Sequence, residues 1–166
     1  MPEIVRRYFL PKREKKVLML KVLQTLGKSL ENTFGPKPQV EVLETSRHKV
    51  YSVNGLPVLA ESEGSVFPTL VFTECLSRLP KVFVDMGAVP HVCNGADIMA
   101  PGLADVQGDF EEEDLVLVLD ERNRKPLAIA QSLTNSETIR TMKKGKAFRT
   151  LHYVGDDIWS ATKEAY

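Results

Sequence analysis

The chain has 166 residues, room for one large or two small folding units with a real core, and its 22 Lys and Arg balance its 22 Asp and Glu. A formal charge of zero excludes a protein that grips nucleic acid by bulk charge, so any such contact must rest on a local basic patch. Two scattered cysteines, Cys75 and Cys93, exclude a disulfide framework, and no apolar run approaches the ~20 residues of a membrane span. Residues 1–16 lack the apolar stretch of a secretory leader, so the expected location is cytoplasmic.

Residues 1–16 are mixed and basic. Pro11 followed by Lys12 to Lys16 reads as a linker into a helix, and the cluster from Arg6 to Lys16 is either solvated or in contact with RNA or a protein partner. From Lys12 to Glu31 the apolar positions Met19, Val22, Leu23, Leu26 and Leu30 recur at threes and fours, predicting a helix with one packing stripe. Gly27 weakens it, and Gly35-Pro36 with Pro38 prevents its continuation. Strands are predicted over 39–44, 49–53 and 57–61. Asn54-Gly55 joins the last two, a pair suited to the two positive φ values of a type I′ turn. A short helix is predicted from Pro68-Thr69 through Arg78, and a domain boundary at Leu79-Pro80.

Residues 81–103 then organise the second half. Val82, Phe83 and Val84 alternate as a half-buried strand requires. Asp85 and Gly87 turn the chain into a short helix over 88–93, with Pro90 in its first turn and Val89 and Val92 facing inward. Asn94-Gly95 stops the helix, Ala96–Met99 reads as a strand, and Pro101-Gly102 turns again. The pairs Gly87-Ala88 and Gly95-Ala96 leave nearly bare backbone, which another chain could approach closely. Residues 104–114 are expected to be a solvated loop facing away from nucleic acid, since they hold six acids and no base. Strands follow over 115–119 and 126–133. Ser136 is read as the N-cap of a helix ending at Lys144-Gly145. A strand is expected over 146–154, and a last one around Trp159. Short strands at this spacing predict a small barrel.

Catalytic patterns are missing from the sequence. There is no nucleophile elbow, phosphate-binding loop or His-Glu-x-x-His motif, and His91-x-Cys93 points its side chains to different faces of a short helix. Asp85 and Asp97 read as turn caps. We expect no enzyme, no cofactor and no metal. Charge does gather between Glu137 and Thr150, where Arg140, Lys143, Lys144, Lys146 and Arg149 face a single acid. Such a cluster attracts phosphates without reading sequence, or merely suits the end of a solvated helix.

The run strand, Val-Asp-x-Gly-Ala, helix, Gly-Ala, strand, Pro-Gly resembles the core motif of the PUA domain, an RNA-binding β pseudo-barrel. Val53-Asn54-Gly55, Phe67-Pro68-Thr69-Leu70, Leu79-Pro80 and His152-Tyr153 with Asp157 and Trp159 are similar to residues of the malignant-T-cell-amplified-sequence, or translation machinery-associated, family, in an archaeal-type form. The resemblance covers residues 38–160. It implies an α+β fold, with an N-terminal α+β domain over 1–79 and a C-terminal PUA pseudo-barrel over 80–166. It implies RNA contacts from Gly87, Ala88, His91, Gly95, Ala96, Asp97, Ile98, Met99, Pro101 and Gly102. Lys143, Lys144, Lys146, Arg149 and His152 would edge that surface.

The implied role is non-enzymatic: binding structured RNA (tRNA or rRNA) and the small ribosomal subunit during initiation or recycling. A separate protein of the SUI1-type initiation-factor fold would act beside it. Two alternatives stand: an RNA-targeting subunit for a base-modifying enzyme, and a protein-interaction module. Ala130 departs from the glycine common at its position and implies a more crowded RNA-facing surface.

Overall fold

The computed structural model describes residues 4–27 and 31–164, so Leu30 of the expected stripe lies outside the described residues. Its contacts form two units, one of residues up to Phe72 together with Asp157 onward, the other of Thr73–Asp156. This grouping differs from the expected spans in giving residues 73–79 to the second unit and the final helix to the first.

The first unit is a five-stranded antiparallel meander of β1 (Arg6–Phe9), β2 (Val40–Glu44), β3 (Lys49–Val53), β4 (Leu56–Ser62) and β5 (Ser65–Pro68) in that spatial order. The β3–β4 turn is as the sequence predicts, with φ of 51° at Asn54 and 88° at Gly55. Asn54 also ties the hairpin to its surroundings: its Oδ1 accepts the Gln39 N–H at 2.8 Å and its Nδ2 donates to the Phe34 carbonyl at 3.1 Å. Glu63 and Gly64 repeat the same backbone at the β4–β5 turn, with φ of 51° and 81°. Helix α1 (Lys12–Leu26) ends where Gly27 turns left-handed, φ 70°, and donates its N–H to the Leu23 carbonyl. It is followed by the one-turn α2 (Glu31–Phe34).

One strand is added here and one expectation changes. Arg6–Phe9, which carries no assignment from the sequence, is an edge strand. Among the described residues it pairs only with β2, and its arginines reach acids of that strand, Arg7 Nε 2.9 Å from Glu41 and Arg6 opposite Glu44. The expected helix over 68–78 shrinks to α3 (Thr73–Leu76), because Ser65–Pro68 is taken up as β5.

The second unit is a six-stranded sheet of β6 (Lys81–Val84), β7 (Ile98–Met99), β8 (Leu103–Gln107), β9 (Leu115–Asp120), β10 (Pro126–Ser132) and β11 (Lys146–Tyr153), in the spatial order β7-β11-β10-β9-β6-β8. Only β6 and β9 run parallel. The two edge strands, β7 and β8, are joined by the single 3₁₀ turn Ala100–Gly102. Laid flat, six strands would hold their edges about 24 Å apart, at ~4.8 Å per neighbour. A three-residue link reaches no more than about 14 Å. The sheet therefore has to curl into a half-barrel.

Its interior is filled by Val82, Val84, Val116, Val118, Ala128 and Phe148, and the Phe110 and Phe148 rings meet at 5.7 Å. Leu103–Gln107 corrects the expected loop: a strand at the sheet edge tolerates Asp105 because one face stays in water. Helix α5 (Ser136–Thr141) is shorter than expected and is capped by Asn135, whose Oδ1 accepts the Thr138 N–H at 2.8 Å. Ser136 instead hydrogen-bonds the Phe110 backbone. Around Trp159 the chain is helical, as α6 (Asp157–Glu164), with Ile158, Ala161 and Thr162 on its buried side. Among the described residues no helix is long and apolar enough to cross a membrane.

Candidate nucleic-acid interface

β6 delivers the chain to one end of the half-barrel. There the Asp85 N–H donates to the Gly102 carbonyl at 2.9 Å, and Asp85 Oδ1 accepts the Ala88 N–H at 2.8 Å. Asp85 is thus a turn cap, as its place after a strand suggests. The single-turn α4 (Val89–Val92) packs Val89 and Val92 on the core and leaves Gly87, Pro90 and His91 facing solvent. The His91 carbonyl accepts the N–H of both Asn94 and Ala96, closing the turn in which Gly95 holds φ 89°.

The glycines have partners within the chain. A Cβ on Gly95 would stand 3.1 Å from the Tyr153 ring, and one on Gly102 3.1 Å from the Ala88 Cβ. Normal carbon contacts are about 3.5–4.0 Å, so both positions are small because the protein's own atoms fill the space. Gly87 differs: a Cβ there would make an ordinary 3.4 Å contact with Asp85.

Pairing of β7 with β11 brings the two expected contact segments together. Met99 lies opposite Lys146, Ile98 opposite Phe148, and the Ala100 N–H donates to the Gly145 carbonyl at 2.8 Å. Asp97 fastens this junction from the side. Its Oδ1 accepts the Thr150 N–H at 3.0 Å, its Oδ2 lies 3.1 Å from Lys146 Nζ, and the Thr150 hydroxyl donates to the Ala96 carbonyl at 2.9 Å. A half-exposed ion pair of this kind contributes at most about 1 kcal/mol, so its main effect is to hold the lysine beside Met99. The resulting face presents Gly87, His91, Ala96, Met99, Pro101, Lys143, Lys144 and Lys146 to solvent. Ala88, Gly95, Asp97, Gly102 and Arg149 are half-buried behind them. Arg149 donates to Gln131 Oε1 at 2.9 Å.

Two expected contact residues lie inside. Ile98 is a core residue, and His152 is fully buried with its Nδ1 2.9 Å from the Asp156 carboxylate. The cause is a break in strand alternation: β11 shifts register opposite Ile129 and Ala130, so Thr150 pairs with Ala130 while His152 pairs with the buried Ile129. Ala130 is likewise buried in the barrel interior, so its methyl group crowds the core and not a ligand surface. The acidic segment is less remote than expected. Arg140 Nη1 lies 3.3 Å from Asp109 and Nη2 donates to the Gly108 carbonyl, which separates this arginine from the lysines that follow it.

Burial raises the Cys93 thiol, which is neutral at ordinary pH. Among the described residues no group of three His, Cys, Asp or Glu is placed to hold a metal. Tyr153 beneath Gly95 and Thr150 bonded to Asp97 escaped the sequence reading, because nothing local links residues so far apart in the chain.

The PUA domain family matches residues 80–154, and a domain of unknown function (DUF1947) matches residues 6–74. An uncharacterized protein of Methanocaldococcus jannaschii is 37% identical over 95% of this chain and 98% of its own. Translation machinery-associated protein 20 of Schizosaccharomyces pombe is 31% identical over 69% of this chain and 67% of its own. Malignant T-cell-amplified sequence 1-B of Xenopus laevis is 30% identical over 74% and 71%. Among solved structures, a PUA-domain protein of Aeropyrum pernix superposes with a TM-score of 0.78 at 26% identity, covering 96% of this chain and 92% of that one.

Proposed function

Because the chain belongs to the family that couples a DUF1947 unit to a PUA domain and includes translation machinery-associated protein 20, we propose that it is a non-enzymatic RNA-binding protein of the translation apparatus. One observation supports this best. The β7–β11 pairing sets an open strip of small and apolar residues (Ala96, Met99, Pro101) beside Lys146, with Lys143 and Lys144 exposed in the segment that leads into it. Lysines supply the charge that draws in phosphates, and an open backbone strip with His91 at its side offers unpaired bases a surface to lie on. In this reading the ligand is the small ribosomal subunit or a tRNA, met in the cytoplasm during initiation or recycling, with a SUI1-type protein as a separate partner.

Co-sedimentation with resolved ribosomal subunits over a salt series tests the reading. The protein is expected with the small subunit, with a binding constant that falls steeply with salt. Lys143→Gln with Lys144→Gln should reduce the log–log salt slope by about one per lysine. Sedimentation apart from the small subunit, or a double variant with an unchanged slope, overturns it.

A further inference from the structure

Helix α1 was expected to bury one apolar stripe, yet only part of it is covered. Of that stripe Val22 is buried, Met19 and Leu26 are half-buried and Leu23 is 46% exposed; outside it, Leu18 is buried and Leu20 is 61% exposed. Beside them runs a groove of about 850 Å³ whose floor is Leu10, Met19, Leu20, Leu23 and Pro38. Among the described residues its charged lining is four lysines, Lys12, Lys15, Lys16 and Lys37, against one acid, Glu31. Lys12 and Lys16 stand one helical turn apart, and Lys15 Nζ donates to the Pro38 carbonyl at 3.0 Å.

We propose that this groove docks an acidic amphipathic helix of a separate protein. Exposed leucines beside the groove call for apolar side chains at helical spacing, the way an amphipathic helix fills a hydrophobic groove. Four cations around one anion call for carboxylates on the flanks of that helix, and the same excess disfavours a basic partner. An RNA strand would satisfy the lysines but leave Met19, Leu20 and Leu23 against a polar backbone. Charge and floor together therefore favour the acidic helix. The proposal does not depend on the RNA-binding reading.

A labelled synthetic peptide of about 15 residues, four helical turns, serves as the probe, with leucines at i, i+3, i+4 and i+7 and glutamates flanking them. Fluorescence anisotropy on the full chain should show saturable binding. A scrambled peptide of the same composition should bind at least about tenfold more weakly. Leu23→Glu and Leu20→Glu should each abolish binding, and both change exposed side chains. Lys12→Glu with Lys16→Glu should weaken binding and flatten its salt dependence. Equal binding of the scrambled peptide, or unchanged affinity in Leu23→Glu, overturns the proposal. So does a homodimer on sedimentation that Leu23→Glu dissolves, since a second copy is then the occupant. An oligoribonucleotide that displaces the peptide and is sensitive to the lysine variant but not to Leu23→Glu also overturns it.

Discussion

The nearly bare glycines of the second unit admit a sharp test, because Gly95 and Gly155 share a backbone conformation and differ in their neighbours. Both have positive φ, 89° and 95°, a region in which an L-residue costs about 1–2 kcal/mol. A Cβ on Gly155 would meet nothing within 4 Å, whereas one on Gly95 would press on the Tyr153 ring at 3.1–3.2 Å. Tyr153 packs against the core, so relieving that contact means shifting a half-buried ring by a few tenths of an ångström. Overpacking of this kind costs about 1–3 kcal/mol. Gly155→Ala should therefore destabilise the unit by about 1–2 kcal/mol, and Gly95→Ala by about 2–4 kcal/mol. Hydrogen exchange of the β9 and β10 amides, the most protected type of site, reads the global opening of this unit without interference from the other. Equal losses in the two variants would refute the role given to Tyr153. A Gly95→Ala protein of native stability that had lost RNA would mean that Gly95 is small for the ligand and not for the ring.

Removing the α5 cap with Asn135→Ala should cost about 1 kcal/mol, seen as a lower thermal midpoint, and Asn135→Asp should restore most of it. Backbone N–H groups, that of Asn123 foremost, hold the Asp120 carboxyl below its ordinary value of 3.8. Its contribution to stability is thus present above that value and lost as pH falls through the lower folded one. Acid unfolding of Asp120→Asn should show a shallower limb below pH 3.8, and an unchanged limb would contradict this. Burial pushes the Cys75 thiol up to about 11, so iodoacetamide at pH 8 should modify it only once urea has opened the fold, as mass spectrometry can follow.

What the sequence made legible was local chemistry. Asn54-Gly55 announced its turn because two adjacent positive φ values leave few residue choices. The β6–α4–β7 run was readable because Asp85, Pro90 and Gly95 each mark a turn or helix end within a few residues. Edge strands were harder. Arg6–Phe9 and Leu103–Gln107 pair on one side only, and their charged residues broke the alternation that buried strands display. Trp159 drew the terminal segment toward a strand, although Ile158, Ala161 and Thr162 already lay at helical spacing. Within the candidate interface the sequence named segments that the β7–β11 pairing brings together, but not which way β11 turned its residues. Register shifts in β11, which no local pattern announces, accompany a buried His152 and an exposed Lys146. The reason for Gly95, a ring 58 positions later in the chain, had no local trace.

The return of α6 to β3 has a consequence for how the polypeptide matures. Thr73–Asp156 contains every strand of its own sheet and can close as soon as it leaves the ribosome. The meander emerges earlier but waits, its β3 surface wet, until Asp157–Glu164 has been translated. During that interval the β3 surface is open to chaperones, and truncation before Asp157 should yield a protein whose later half is sound and whose earlier half is sticky.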